Sequence, residues 1–226
     1  MLDGLFKSRK TVYFPGCLTK LVLEEHYHNW RSILSDLGIN YHILPELQCC
    51  GAPALHAGYT ADFKRIVQEN TRILKKNHVK KIISSCSQCV HTFKEHYPVT
   101  AEHVTETLYK NKDKIRKENQ GEVCYQDSCI LARKLNITKE PRDILAQSGF
   151  KVKEFKHKKE NSYCCGAAGG LAHNNPALAK LLAQKRIAEA GTNSIITACP
   201  LCYYHLKQHA ERGTIIRELS EVFVEA

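Results

Sequence analysis

The sequence predicts an α/β fold of two pseudo-twofold-related halves. Each half is a small parallel sheet flanked by helices, with cysteine loops at the carboxyl ends of the strands. Three observations predict it. Ten of the eleven cysteines fall into two copies of one spaced pattern. Short β-rich runs alternate with helix-length amphipathic stretches in both copies. Each cysteine cluster follows such a run, and in a parallel sheet that edge is where ligands bind.

The first copy runs Cys17, 31 residues, Cys49-Cys50-Gly51, 34 residues, Cys86-Ser87-Gln88-Cys89. The second runs Cys129, 34 residues, Cys164-Cys165-Gly166, 32 residues, Cys199-Pro200-Leu201-Cys202. Flanking residues keep the register: Tyr13 and Tyr125 each lie four before the first cysteine of their copy. Ile82-Ile83-Ser84-Ser85 enters one CxxC, and Ile195-Ile196-Thr197-Ala198 enters the other. The period is too long for a solenoid, so an internal duplication with halves at 1–115 and 116–226 is expected.

Element by element, Thr11–Phe14 reads as a strand ending at Pro15-Gly16. Leu23, Tyr27, Trp30, Leu34 and Leu37 are at helical spacing, with Gly38 as the stop. Ile39–Leu44 reads as the next strand, leading to the first doublet. Phe63, Ile66, Val67, Asn70, Ile73 and Leu74 mark a second helix. Lys81–Ser84 is a strand, and the CxxC opens a helix through Phe93. In the second copy, Glu122–Gln126 is a strand, followed by the Cys129 loop and a helix to about Ser148. Gly149 stops it and Phe150–Phe155 is the next strand. Asn175 is a helix N-cap with Pro176 at N1, the helix running to Ala190. Asn193–Thr197 is the last strand before the second CxxC.

Composition narrows the function. Hydrophobic content of 43% and charged content of 25% are those of a folded domain. The chain carries 33 basic and 23 acidic residues, a formal charge of +10 split evenly between the halves. There is no basic arm, and no aromatics interleave with the lysine runs, so nucleic acid is not an expected partner. Met1–Lys10 has no apolar core of a leader, and no stretch is long enough to span a bilayer. The expected location is the reducing cytoplasm, with any membrane contact made through a partner. Stable disulfides are rare there, so the cysteines read as metal ligands or redox thiols.

Four thiolates satisfy a tetrahedral zinc. Five exceed it, and adjacent cysteines diverge, which suits more than one metal atom. Soft thiolate sets favour iron–sulfur clusters or zinc. A CxxC opening a helix after a strand also fits thiol redox chemistry. All three remain open on spacing alone. No Gly-rich phosphate loop is present, so no nucleotide site is expected.

These stretches resemble the CCG cysteine-rich family: Tyr13-Phe-Pro-Gly-Cys17, Cys49-Cys-Gly-Ala-Pro-Ala-Leu-His-Ala-Gly58, Cys164-Cys-Gly-Ala-Ala-Gly-Gly-Leu171 and Ile195-Ile-Thr-Ala-Cys-Pro-Leu-Cys202. That family includes heterodisulfide reductase subunits and the iron–sulfur subunits of lactate, glycolate and glycerol-3-phosphate oxidation. The resemblance implies two non-cubane [4Fe–4S] clusters. Cys17, Cys49, Cys50, Cys86 and Cys89 would hold one; Cys129, Cys164, Cys165, Cys199 and Cys202 would hold the other. It further implies an oxidoreductase subunit reducing a small-molecule disulfide, or exchanging electrons with thiols. Electrons would come from a partner iron–sulfur or flavoprotein subunit. The alternatives are an electron-transfer subunit of hydroxy-acid oxidation and a zinc-stabilised interaction module. His56 and His173 follow the doublets and are candidate proton donors. Cys124 and Trp30 read as core, and Asp127 as orienting the Cys129 loop or capping.

Overall fold

The computed structural model describes residues 10–118 and 120–223. The stretch read for a leader, apart from Lys10, and the outermost limits of the two halves lie outside the described residues. The first half contains β1 (Lys10–Tyr13), α1 (Cys17–Leu21), α2 (Glu24–Asp36), α3 (Ala52–His56), α4 (Thr60–Lys76), β2 (Val79–Ser84), α5 (Ser87–His96), β3 (Thr100–His103) and α6 (Val104–Lys110). The second contains β4 (Gly121–Gln126), α7 (Cys129–Arg133), α8 (Glu140–Gln147), β5 (Phe150–Lys153), α9 (Leu171–Asn174), α10 (Pro176–Ala188), β6 (Ser194–Thr197), α11 (Pro200–His209) and β7 (Ile215–Glu218). A 3-10 turn, Leu219–Val222, stands where the first half has α6.

The fold is α/β with two parallel sheets, ordered β1-β2-β3 and β5-β4-β6-β7. The central pairs are related by the duplication: Tyr13 pairs with Ile83, and Tyr125 with Ile196. The outer pairs match too, Ser84 with His103 and Thr197 with Glu218.

Strand alternation sends neighbours to opposite faces, and here both faces are buried. Tyr13, Ile83, Val123, Tyr125 and Ile196 join Trp30, Leu34, Leu108, Ile144 and Leu145 in one core spanning both halves. Val12 and Ile82 face a second core under α4 and α5. Cys124 and Ile195 face a third under α11. Cys124 is fully buried, its sulfur accepting from the Gly191 amide at 3.3 Å.

The halves meet in reciprocal contacts. α1 touches α11 as α7 touches α5, and α2 touches the Leu219–Val222 turn as α8 touches α6. Each pair is the image of the other under the duplication, which defines a pseudo-twofold seam.

Several elements differ from the sequence reading. Ile39–Leu44 is reduced to one parallel bridge, Val12 to His42, made by two backbone hydrogen bonds of 2.9 Å. Pro45 follows and offers no amide donor to extend it. The helix expected to run to Ser148 is two helices, α7 and α8, because Asn136 adopts φ 56 and breaks the path. β5 ends at Lys153 and α10 at Ala188, short of Phe155 and Ala190. β3 and β7 were not expected; both are four-residue strands. Asn175 does cap α10, accepting from the Leu178 amide at 3.0 Å. Among the described residues no helix is long and apolar enough to cross a membrane.

Candidate metal centre

The cysteines are placed by strand ends and helix starts. Cys17 opens α1, separated from the end of β1 by the three residues Phe14-Pro15-Gly16. Gly16 has φ 83, and a Cβ there would meet the Cys86 Cβ at 3.0 Å and the Cys89 sulfur at 3.4 Å. Only glycine lets this loop approach the CxxC so closely. Cys86 is the N-cap residue of α5, and Cys89 follows one turn later on the same face. The doublet is turned by Gly51 at φ 90, whose amide donates to the Cys49 sulfur at 3.4 Å. Asn70 on α4 holds the Cys49 carbonyl at 2.8 Å, and the Tyr97 hydroxyl holds that of Cys50 at 2.9 Å.

The five thiols interact as one chain: Cys17 with Cys49, Cys49 with Cys50, Cys50 with Cys89, and Cys89 with Cys86. Cys50 and Cys89 are buried, and the other three are half-buried. Cys49 is held far below the ordinary thiol range by hydrogen bonds from Cys17 and Cys50, with the Gly51 amide assisting. Its neighbours move the other way: the bond to Cys49 pushes Cys17 up strongly and Cys50 to about 12. One negative charge is thus favoured, and adding others is opposed unless cations arrive.

The second half repeats the same chain of contacts. The order is Cys129, Cys164, Cys165, Cys202, Cys199. The Cys165 and Cys202 sulfurs lie 3.2 Å apart. Gly166, at φ 88, donates to the Cys164 sulfur at 3.4 Å. Cys164 is lowered by hydrogen bonds from Cys129 and Cys165; the bond to Cys164 pushes Cys129 up strongly and Cys165 to about 12. Cys199 is lowered to about 6, chiefly by Cys202, with help from Ser128 and Ser87.

Buried charges anchor the second doublet loop. Asp127, 2% exposed, takes both oxygens' bonds from Arg142 at 2.8 Å and one from the Lys159 amide at 2.7 Å. It therefore ties the Cys129 loop to the segment before the doublet and does not cap α7. Arg186 lies 3.6 Å over the Phe155 ring and bonds Gln126, Glu189 and Ser162.

The two sets share the seam. Ser87, inside the first CxxC, bonds Ser128 at 3.1 Å and the Cys199 sulfur at 3.8 Å. His103, fully buried, bonds the Ser85 carbonyl at 3.1 Å and the backbone of Ala198. Those residues immediately precede Cys86 and Cys199. Because His103 Nδ1 accepts from the Thr105 amide at 3.3 Å, Nε2 carries the proton that it donates. Neither Ser87 nor His103 was singled out from the sequence. The repeat-related boxes His103-x-x-Glu106 and Glu218-x-x-Glu221 were the available signal, since both are capping boxes. His56 ends α3 and His173 lies in α9, each after its doublet and each exposed. Among the described residues, no group of His, Cys, Asp or Glu is arranged to hold a single metal ion.

Comparison with known proteins agrees with the duplication. The model of the cysteine-rich domain, CCG, matches twice, at residues 11–94 and 123–207. The chain is 28% identical over 209 residues to an uncharacterized iron–sulfur protein of Methanocaldococcus jannaschii, covering 90% of this chain and 42% of that one. It is 30% identical over 233 residues to a subunit of the dihydromethanophenazine:CoB–CoM heterodisulfide reductase of Methanosarcina acetivorans, covering 94% and 57%. It is 27% identical over 229 residues to the probable glycolate oxidase iron–sulfur subunit of Bacillus subtilis, covering 91% and 51%. The chain thus spans about half the length of these relatives.

Proposed function

The chain belongs to the CCG cysteine-rich domain family, and on that premise we propose that it is an iron–sulfur redox subunit of an oxidoreductase. The observation that carries this reading is the five-thiol chain in each half. Five soft donors in mutual contact exceed a zinc shell and suit a multi-iron cluster. A glycine cradle at Gly16 and amide donors aimed at Cys49 and Cys164 sulfur fit the same group. In this reading Cys17, Cys49, Cys50, Cys86 and Cys89 hold one [4Fe–4S] cluster of non-cubane type. Cys129, Cys164, Cys165, Cys199 and Cys202 hold a second. When bound, such clusters supply one-electron transfer. Nothing in the site favours zinc.

The finer proposal is reduction of a small-molecule disulfide at the seam, as the similarity to a component of a heterodisulfide reductase suggests. A disulfide takes up two electrons and two protons to give two thiols. A partner iron–sulfur or flavoprotein subunit is the proposed electron source. His56 and His173 are the proposed proton donors, being exposed and following the two doublets along the chain. The formal charge of +10 either offsets the ten thiolates or attracts acidic substrates. The similarity to a glycolate oxidase subunit favours a second reading, electron transfer from a hydroxy-acid dehydrogenase.

Anaerobically loaded protein with reduced viologen separates the two. Disulfide reduction predicts viologen oxidation only when a low-molecular-weight disulfide is added. No disulfide-dependent oxidation, together with reduction of the protein by a hydroxy-acid dehydrogenase, would overturn the first reading in favour of the second.

A further inference from the structure

The two cysteine sets are alike by duplication, but the hydroxyls around them are not. Ser87 and Ser128 are each 1% exposed, and their oxygens lie 3.1 Å apart across the seam. Ser87 donates to the Cys199 sulfur at 3.8 Å, so in the 3.1 Å bond between the two hydroxyls Ser128 is the donor, and it fixes the Ser87 proton on the sulfur. Cys202 also bonds that sulfur, through its side chain and backbone. Under the duplication Cys199 answers Cys86, Pro200 answers Ser87, and Gly16 answers Ser128. Proline and glycine carry no side-chain donor. The hydroxyls that converge on Cys199 therefore have no counterparts at the positions facing Cys86.

A hydrogen bond to a ligand sulfur favours the more negative state of the bound centre and so raises its reduction potential. We propose that Ser87 and Ser128 are positioning residues that make the second cysteine set the more readily reduced of the two. Ser87 does so from the first half, reaching across the seam. Reducing equivalents then settle in the second half, which gives a symmetric scaffold a direction. This inference rests on the reading that both sets bind iron–sulfur clusters.

The test uses the full chain loaded anaerobically with iron and sulfide. It is titrated with dithionite in the presence of mediators and followed by visible absorbance and paramagnetic resonance. Iron and sulfide are counted on the same samples. The wild type is expected to reduce in two steps. Ser87→Ala and Ser128→Ala should each shift the higher-potential step downward and leave the lower step in place, and the double variant should shift it further. Ser87→Thr keeps the hydroxyl and should keep the wild-type step. Ser128 makes no side-chain cap to α7, so its loss leaves that helix start intact and secures the test if Ser87→Ala folds poorly. With iron and sulfide present, a single wild-type step, an unmoved upper step or an equal shift of both overturns the inference alone. Wild-type protein that holds neither iron nor sulfide overturns the cluster reading with it.

Discussion

Gly51 and Gly166 each close a cysteine doublet in the left-handed region, and each lies against the longer helix beyond, Gly51 on α4 and Gly166 on α10. A Cβ on Gly166 would come within 2.8 Å of the Ala179 carbonyl oxygen, a backbone atom that cannot swing away. Gly166→Ala should cost about 2–4 kcal/mol, from strain plus overpacking. Gly58 has φ 82 but open space around it, so Gly58→Ala should cost only about 1 kcal/mol. Urea midpoints of the two variants check this, and equal losses would contradict it. Glu218 is the buried counterpart of His103. Burial raises its carboxyl to about 7, despite the Ser220 amide and His26 nearby, with Glu221 and the Tyr13 ring also facing it. The folded chain therefore holds a proton that the unfolded chain releases above about 4.5. Stability from this group is present below that value and is lost as pH rises through 7, by about 3 kcal/mol. Glu218→Gln should flatten that slope in denaturation measured from pH 5 to pH 8 (roughly the linkage window). An unchanged slope would sink the assignment. The cysteines were legible one by one because their spacing repeats. Ser87 and His103 were not, because their partners lie across the seam and no local pattern announces a tertiary hydrogen bond.

At the scale of elements, the helices with long apolar spacing were legible and the short edge strands were not. α4 carries Phe63, Asn70, Ile73 and Leu74 on its buried face, as its period predicts. β3 and β7 are Thr100–His103 and Ile215–Glu218, too short and too polar to signal a strand without a neighbour to pair with. Ile39–Leu44 has the composition of a strand yet makes only one bridge, so its second-half counterpart β5 is the better-formed copy. α5 does more than present the CxxC, because the chain at its end supplies Tyr97. That hydroxyl donates to the Cys50 carbonyl and accepts from Asn70 at 3.1 Å. Tyr97→Phe leaves two buried groups short of a partner and should cost about 1–3 kcal/mol. Loading with iron and sulfide should then become slower in the first set alone, with the second set as internal reference. Equal slowing of both sets would show that Tyr97 acts on the whole fold.

Across the whole molecule, the duplication fixes the chemistry and the seam fixes the cooperativity. The central core takes residues from both sheets, and Trp30 is fully buried within it. Trp30 is also the single tryptophan of the chain. Its fluorescence and far-UV circular dichroism should report one coincident unfolding transition. Two separated transitions would mean that the halves fold independently. The formal charge of +10 finds its use in this account as compensation for ten thiolates. The central claim is that each half binds its own cluster through its own five cysteines, and metal counting on set-specific variants tests it most directly. Iron and acid-labile sulfide should be measured on anaerobically loaded wild type, Cys49→Ser/Cys50→Ser and Cys164→Ser/Cys165→Ser. The account predicts about eight iron atoms per wild-type chain and about four in each double variant, with sulfide in proportion. Stoichiometric zinc without sulfide, or complete loss of iron from either double variant, would contradict it.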